Sequence, residues 1–469
     1  SSKGLLDPDM NFRTDKATET ALLFAALAAL GMGLLLVQMT LPMALGIGLG
    51  LAVLVIAIAS DELALYLLIF SMLLGPEFIV GGLGEGTTLG RGLTFRLDDV
   101  LIVIIGFAWL AKAALHKELG LFLRTPLNRP IAAYSFAAIF ATGLGMVAGR
   151  VSVLGGTLFV LKLIEYFVIY FMVVNNLRER KQFERFLLAL LATAAISSFI
   201  GILQIPSGLR VSAPFEGSTG EPNTFGGYLV LMLAVAAGLY LTSESLKRKY
   251  VVASLAVLIF IPLLFTLSRA SYLALVPLAG GLLAFSQRKL LIASALALGL
   301  VLTPFLLPKA VADRVLYTFT QPFHPAQTEI RGVRLDTSTS ARLRSWKEAV
   351  SDFPEHPVFG YGVTGYRFLD AQYPRVLLET GAVGLLAFLF LQLSLFREAR
   401  DVLRRTQDPL FKGVALGFLV GFIGMVGHCL GANTFTIVRI MEPFWFLTAM
   451  VMMIPQLEAA SEPREAIKG

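Results

Sequence analysis

Long apolar runs recur through this chain, separated by short polar loops, and this feature leaves few folds open. Many reach about 18 residues, enough to cross a hydrocarbon core of roughly 30 Å as a helix. In lipid the backbone must satisfy its own hydrogen bonds, and a helix does so within one segment. The runs fall at 21–37, 43–59, 63–74, 100–115, 131–147, 154–174, 186–205, 225–241, 251–267, 271–285, 290–307, 376–396, 414–427 and 444–454. The reading is therefore an all-α polytopic membrane protein with about fourteen transmembrane helices, and no fewer than twelve. Charge content agrees: 15% of the residues are charged, against roughly 25% in a soluble domain.

Lys and Arg crowd alternate loops, at 112–129, 178–185, 247–249, 288–289 and 397–412. The positive-inside rule puts these loops and both termini in the cytoplasm. The net charge of +7 is thereby explained without nucleic acid, and no basic run interleaved with aromatics suggests such a partner. The single cysteine, Cys429, rules out a disulfide framework within the chain and argues against a thiolate metal cluster. No cleavable signal peptide is expected, because the first apolar run continues directly into further spans. Four parts follow: an N-terminal transmembrane bundle at 1–308, a large outside loop at 309–374, C-terminal transmembrane helices at 375–456 and a cytoplasmic tail at 457–469. A long loop translocates regardless of its charge, so the cations between Lys309 and Pro374 do not oppose this orientation. That loop should contain short helices and most of the chemistry.

Arg269 lies in a tight outer turn between two spans. A charge at that depth is costly and usually functional. It reads as a phosphate ligand, or as an interfacial side chain snorkelling to headgroups. Residues 338–350 read as a helix with hydroxyl residues before it as N-cap candidates. Arg342, Trp346 and Ala349 then share a face, with Arg344 pointing roughly the other way. Guanidinium beside indole would suit diphosphate oxygens; the alternative is a surface helix packed on the membrane rim. Asp370 stands just before a helix whose first turn accommodates Pro374, a place for a general base or for a solvated carboxylate. Glu379, inside a span, needs an arginine or backbone partner. Lys162 and Glu165 can neutralise one another. Asp98 or Asp99 could ligate a divalent cation, or more simply cap a helix or pair with Arg96. His428 and Arg439 flank the last outer loop, where a lone histidine is more often structural than basic.

Four motifs, in order, carry a family resemblance: Glu221-Pro222-Asn223-Thr224-Phe225-Gly226-Gly227-Tyr228-Leu229; Leu267-Ser268-Arg269-Ala270-Ser271; Arg342-Leu343-Arg344-Ser345-Trp346 followed by His356-Pro357-Val358-Phe359-Gly360-Tyr361-Gly362; and Tyr373 with Leu377-Leu378-Glu379-Thr380-Gly381-Ala382-Val383-Gly384-Leu385. Together they resemble the O-antigen ligase and O-antigen polymerase superfamily of bacterial inner-membrane glycosyltransferases. The resemblance implies a GT-C-like architecture, a periplasmic long loop and an undecaprenyl-diphosphate-linked glycan donor. It also implies a glycan or lipid acceptor, membrane lipids and a chain-length regulator protein as partners, and no cofactor or metal. Arg269 and Arg342 match the arginines expected on the donor diphosphate. Where the family pattern has a basic histidine, this chain has Asp370. The substrate-binding set expected around these three is Arg344, Trp346, Asn223, Tyr373, Glu379, Arg439 and His428.

The expected reaction is inverting transfer to an acceptor hydroxyl. Two guanidiniums would neutralise the leaving diphosphate. A carboxylate, with an ordinary pKa near ~3.9, would orient the hydroxyl and take its proton late. Polymerisation of repeat units is favoured over ligation to lipid A core. A flippase for lipid-linked oligosaccharide is the rival from another class. It predicts charges at the midplane and two related halves, and the sequence shows little of the first and no evident duplication.

Overall fold

The computed structural model describes residues 41–79, 94–115, 124–216 and 220–461. Fifteen α-helices account for most of them, beside two short antiparallel hairpins. In order these are α1 (Leu41–Ala59), α2 (Asp61–Leu74), α3 (Leu97–Leu115), α4 (Asn128–Val147), α5 (Val153–Asn176), α6 (Arg180–Gln204), α7 (Pro222–Thr242) and α8 (Leu246–Phe265). They continue with α9 (Arg269–Phe285), α10 (Lys289–Leu306), α11 (Lys309–Thr320), α12 (Thr337–Asp352), α13 (Gln372–Arg405), α14 (Pro409–His428) and α15 (Val438–Ser461). The hairpins pair β1 (Glu77–Ile79) with β2 (Thr94–Arg96) and β3 (Glu329–Ile330) with β4 (Val333–Arg334). The chain divides into a unit at Ser1–Ile56, represented by the apolar α1, and a unit at Ala57–Gly469 that holds everything discussed below.

Every apolar run predicted from 43 onward coincides with a helix, and α15 starts at Val438, next to Ile437, where the last span is expected to begin ahead of its most apolar part. The run at 21–37 lies outside the described residues, as does most of the glycine-rich stretch before α3. Nine described helices are long and apolar enough to cross a membrane by themselves; α9, with 17 residues, falls just short. The protein is thus an all-α polytopic membrane protein.

The centre of the second unit is α7 with α14 and α15. Small residues allow their close approach, the usual device where lipid supplies no hydrophobic drive between helices. Gly413, Gly417 and Gly421 recur at every fourth position of α14. A Cβ at Gly238 of α7 would stand 2.2 Å from the Gly413 carbonyl oxygen. Aromatic rings fill the remaining space, Phe444 meeting Phe418, Phe422 and Phe435.

Helix α13 is broken at Gly381, whose φ of 67° and ψ of −168° lie in a region open essentially only to glycine. The break is filled by the end of the long loop. The amides of Ala382 and Val383 donate to the carbonyls of Pro357 and Val358, at 2.8 and 3.2 Å. The carbonyls of Leu378 and Glu379, which those amides would meet in an unbroken helix, accept instead from Tyr361 and Gly362, at 2.8 and 2.9 Å. Gly360 and Gly362 make the turn with φ of 69° and 91°. Irregular backbone at this depth is tolerated because its polar groups are satisfied by protein.

Candidate active site

The turn between α8 and α9 brings the site together. Ser268 caps α9 by accepting the Ser271 amide at 3.3 Å, and donates to Asn223 Oδ1 at 2.8 Å. Leu267 takes a positive φ of 49°, a strained state for a bulky residue. Its carbonyl accepts from two arginines, Arg210 Nη2 at 3.3 Å and Arg314 Nε at 3.3 Å. Arg210, from the loop before α7, also donates to the Thr266 carbonyl at 3.0 Å. Arg269, the first residue of α9, donates to Thr318 Oγ1 at 2.7 Å and pairs with Asp336 Oδ2 at 2.5 Å.

Asp336 is also the N-cap of α12, accepting from the Thr339 amide at 3.3 Å. The cap is thus Asp336, one residue before the hydroxyl run expected to supply it, and Thr337 begins the helix. A little over one turn on, Arg342 is largely buried, with Nε 3.6 Å from Asp370 Oδ2 and no hydrogen bond of its own at that nitrogen. Gly431 fits between the two arms: a Cβ there would lie 3.0 Å from Ala270 Cβ and 3.7 Å from Arg342 Nε.

Arg210, Arg269, Arg314 and Arg342 therefore form one cationic cluster. Burial, assisted by the neighbouring Arg314, lowers the pKa of Arg210 to about 10. Burial, assisted by Arg269, also lowers that of Arg314 from its ordinary value. Burial lowers that of Arg342 too, opposed by Asp370 and assisted by Arg269. Burial would raise the Asp336 carboxyl, but the Arg269 and Thr339 hydrogen bonds hold it below the usual carboxylate range. Assembling like charges out of water is costly unless an anion completes the set.

Beside the cluster lies a cavity of about 760 Å³, lined among others by Asp370, Asn223, Arg344, Glu221 and Arg375. Asp370 is held by its amide, which donates to Ser345 Oγ at 3.2 Å, and its side chain is 36% exposed. It lies between the cavity and Arg342. Arg344 donates to the Ala326 carbonyl at 3.0 Å. The Asn223 amide donates to Glu221 Oε1 at 3.1 Å. Arg269 and Arg342 are not themselves in the cavity wall; Arg342 borders it through Asp370.

The other expected residues are placed differently. Glu379 accepts from Arg375 Nε at 3.1 Å and from the Thr364 amide at 3.3 Å, so it has both the arginine and the backbone partner its depth demands. Tyr373 turns into the helix packing, against Phe388, and donates to Gln392 at 3.3 Å. His428 is fully buried between Ser271 Oγ, at 3.2 Å, and Thr434 Oγ1, at 2.7 Å. Arg439 is buried on the carbonyls of Leu73, Pro214 and Gly75 and faces Glu216 at 3.4 Å. It ties α15 to the end of α2. Glu379, Tyr373, His428 and Arg439 all lie outside the cavity wall. Lys162 pairs with Asp99 at 2.9 Å rather than with Glu165, and Arg96 takes Asp98 at 2.8 Å. The i, i+3 spacing in α5 was outweighed by a carboxylate arriving from α3.

Trp346 is 42% exposed, whereas Arg342 on the same helix is largely buried, so the indole is not stacked on that guanidinium. The buried positions of α12 are Ser340, Ser345 and Ala349, which puts Trp346 at the edge of the packed stripe. Trp346→Ala is accordingly expected to change kcat/KM less than about twofold, since surface changes away from special features cost little. A steady-state assay checks this.

Sequence reasoning missed Arg210, Arg314 and Asp336. A lone arginine in a short outer loop, and an arginine three residues after the buried Val311 of α11, were the available signals. Neither says which carbonyl the side chain will meet.

These features define a multi-pass membrane protein with a cationic cluster and a polar cavity at one end of its helices. Residues 253–389, from α8 into α13, match the family model described as O-Antigen ligase. This match over part of the chain supports the resemblance to the ligase and polymerase superfamily of glycosyl-transferring membrane enzymes. The matched stretch contains Arg269, Arg314, Arg342 and Asp370. No curated protein matches the chain.

Proposed function

We propose that the chain is an inverting glycosyltransferase that polymerises undecaprenyl-diphosphate-linked repeat units at the periplasmic face of the bacterial inner membrane. The observation that carries this reading is the four-arginine cluster bordering a cavity into which Asp370 projects a carboxylate. Guanidinium forks match phosphate oxygens in geometry and charge. In a site shielded from water they stabilise the charge that develops on a departing diphosphate. The acceptor hydroxyl oxygen attacks the anomeric carbon from the face opposite the diphosphate. The carbon–oxygen bond to the diphosphate breaks, the electron pair leaves with it, and the hydroxyl proton passes to Asp370. The arginines supply the charge neutralisation, so no metal is needed in this scheme.

Orientation rests on the loops at the other end of the helices, which carry Arg178, Arg180, Lys247, Arg248, Lys249, Arg288, Lys289, Arg404 and Arg405. By the positive-inside rule that end faces the cytoplasm, leaving the cavity and the long loop in the periplasm. A chain-length regulator would then meet the protein on the cavity side.

Two experiments test the reading. Purified protein given lipid-linked repeat units alone should produce a ladder of increasing length. Transfer only on addition of lipid A core would make it a ligase, and transport of labelled lipid with no change in glycan length would make it a flippase. Asp370→Asn is expected to lower kcat about 10²-fold, the lower end of general-base contributions, while the donor Kd stays the same. Full activity in that variant would place the base elsewhere.

A further inference from the structure

Helix α11 has three distinct faces. The inward one presents Val311, Arg314 and Thr318, with Gln321 just past its end. Arg314 donates to the Leu267 carbonyl at 3.3 Å, and Thr318 accepts from Arg269 at 2.7 Å through its hydroxyl and from the Asp336 amide at 2.9 Å through its carbonyl. Gln321 accepts from the Thr337 amide at 2.8 Å. The second face is apolar and exposed: Val315, Leu316 and Phe319, continued by Phe323, with Phe319 60% and Phe323 73% exposed. The third is polar: Asp313, Tyr317 and Thr320. Twelve residues cannot cross a bilayer, which takes about 20. Helix α11 follows α10 after only Leu307 and Pro308. The last turns of α10 are themselves exposed and apolar, at Leu298, Leu300, Val301, Phe305 and Leu306. The apolar face of α11 thus follows directly on a helix of membrane-crossing length whose own surface is exposed and apolar.

We propose that α11 lies flat at the lipid–water boundary, with Leu316, Phe319 and Phe323 among the acyl chains of the leaflet next to the cavity. A polar face toward water and an apolar one toward lipid is the arrangement of an interfacial helix. Its remaining face grips the arginine cluster, so the bilayer fixes the level at which Arg269 and Arg314 stand. On the reading of the preceding subsection, that level is the headgroup plane, where the diphosphate of a lipid-linked donor arrives. Helix α11 is then the sill over which the donor enters.

The single cysteine, Cys429, is buried, so new cysteines can be labelled selectively. Nitroxide labels at L316C, F319C, D313C and T320C, in protein held in nanodiscs, are compared for collision with oxygen and with a water-soluble nickel chelate. Labels at 316 and 319 should favour oxygen several-fold over those at 313 and 320. Equal access of the nickel chelate to all four positions would overturn the placement. This readout needs no turnover, so it stands or falls apart from the enzymatic reading. The delivery role is tested with the Leu316→Asp/Phe319→Asp double variant. KM for a full-length polyprenyl donor should rise at least about fivefold, with KM for a short-chain, water-soluble donor unchanged. An equal change for both donors would overturn delivery.

Discussion

Arg342→Ala is expected to lower kcat/KM for the lipid-linked donor about 10²–10³-fold, the loss typical of removing one charge-stabilising donor from a shielded site. Arg342 is a cleaner probe than Arg269. Truncating Arg269 would strand the Asp336 carboxylate, which is 2% exposed, and removal of one partner from a buried pair is strongly destabilising. The nearest charge to Arg342 is Asp370, which reaches the cavity and can be solvated. Thermal unfolding of Arg342→Ala in detergent should therefore stay within a few degrees of the parent protein. Arg342→Lys keeps the charge without the planar fork and should recover only part of the rate. Parental kcat/KM in the alanine variant would remove the cluster from the chemistry.

Gly381→Ala is expected to unfold the middle of the molecule. The backbone there adopts a conformation that costs any other residue about 1–3 kcal/mol. A Cβ at that position would also lie 2.3 Å from the Val358 carbonyl oxygen and 2.5 Å from the Phe359 amide nitrogen. These are backbone atoms, and the Val358 carbonyl is already held by the Val383 amide, so they cannot yield cheaply. The combined penalty should exceed ~3 kcal/mol, placing the substitution among the few that remove a large share of a protein's stability. A melting curve in detergent, with yield of monodisperse protein as a second measure, checks this. A variant as stable as the parent would mean that the helix can close without the inserted loop.

Much of the fold could be read from the chain because length and hydropathy decide where a helix crosses lipid, and both are local properties. Arg269 could be singled out on the same ground, as a charge at an unusual depth. Arg439 and His428 could be singled out too, but their partners could not. Whether a buried cation meets a ligand or three carbonyls depends on elements hundreds of residues apart, as Arg439 with Leu73 shows. Arg210 and Arg314 were passed over for the same reason. Each becomes informative only when both are found on the Leu267 carbonyl. Lys162 is the converse case, where a neighbour in sequence lost to Asp99 from another helix.

The splice at Gly381 has a mechanical consequence. Pulling the segment at 357–362 away would strip four main-chain groups of α13 of their present partners, each costing about 1–3 kcal/mol if it stays buried. The rear of the long loop is consequently anchored like a wall. Any rearrangement of the loop that keeps α13 intact has to leave this stretch in place.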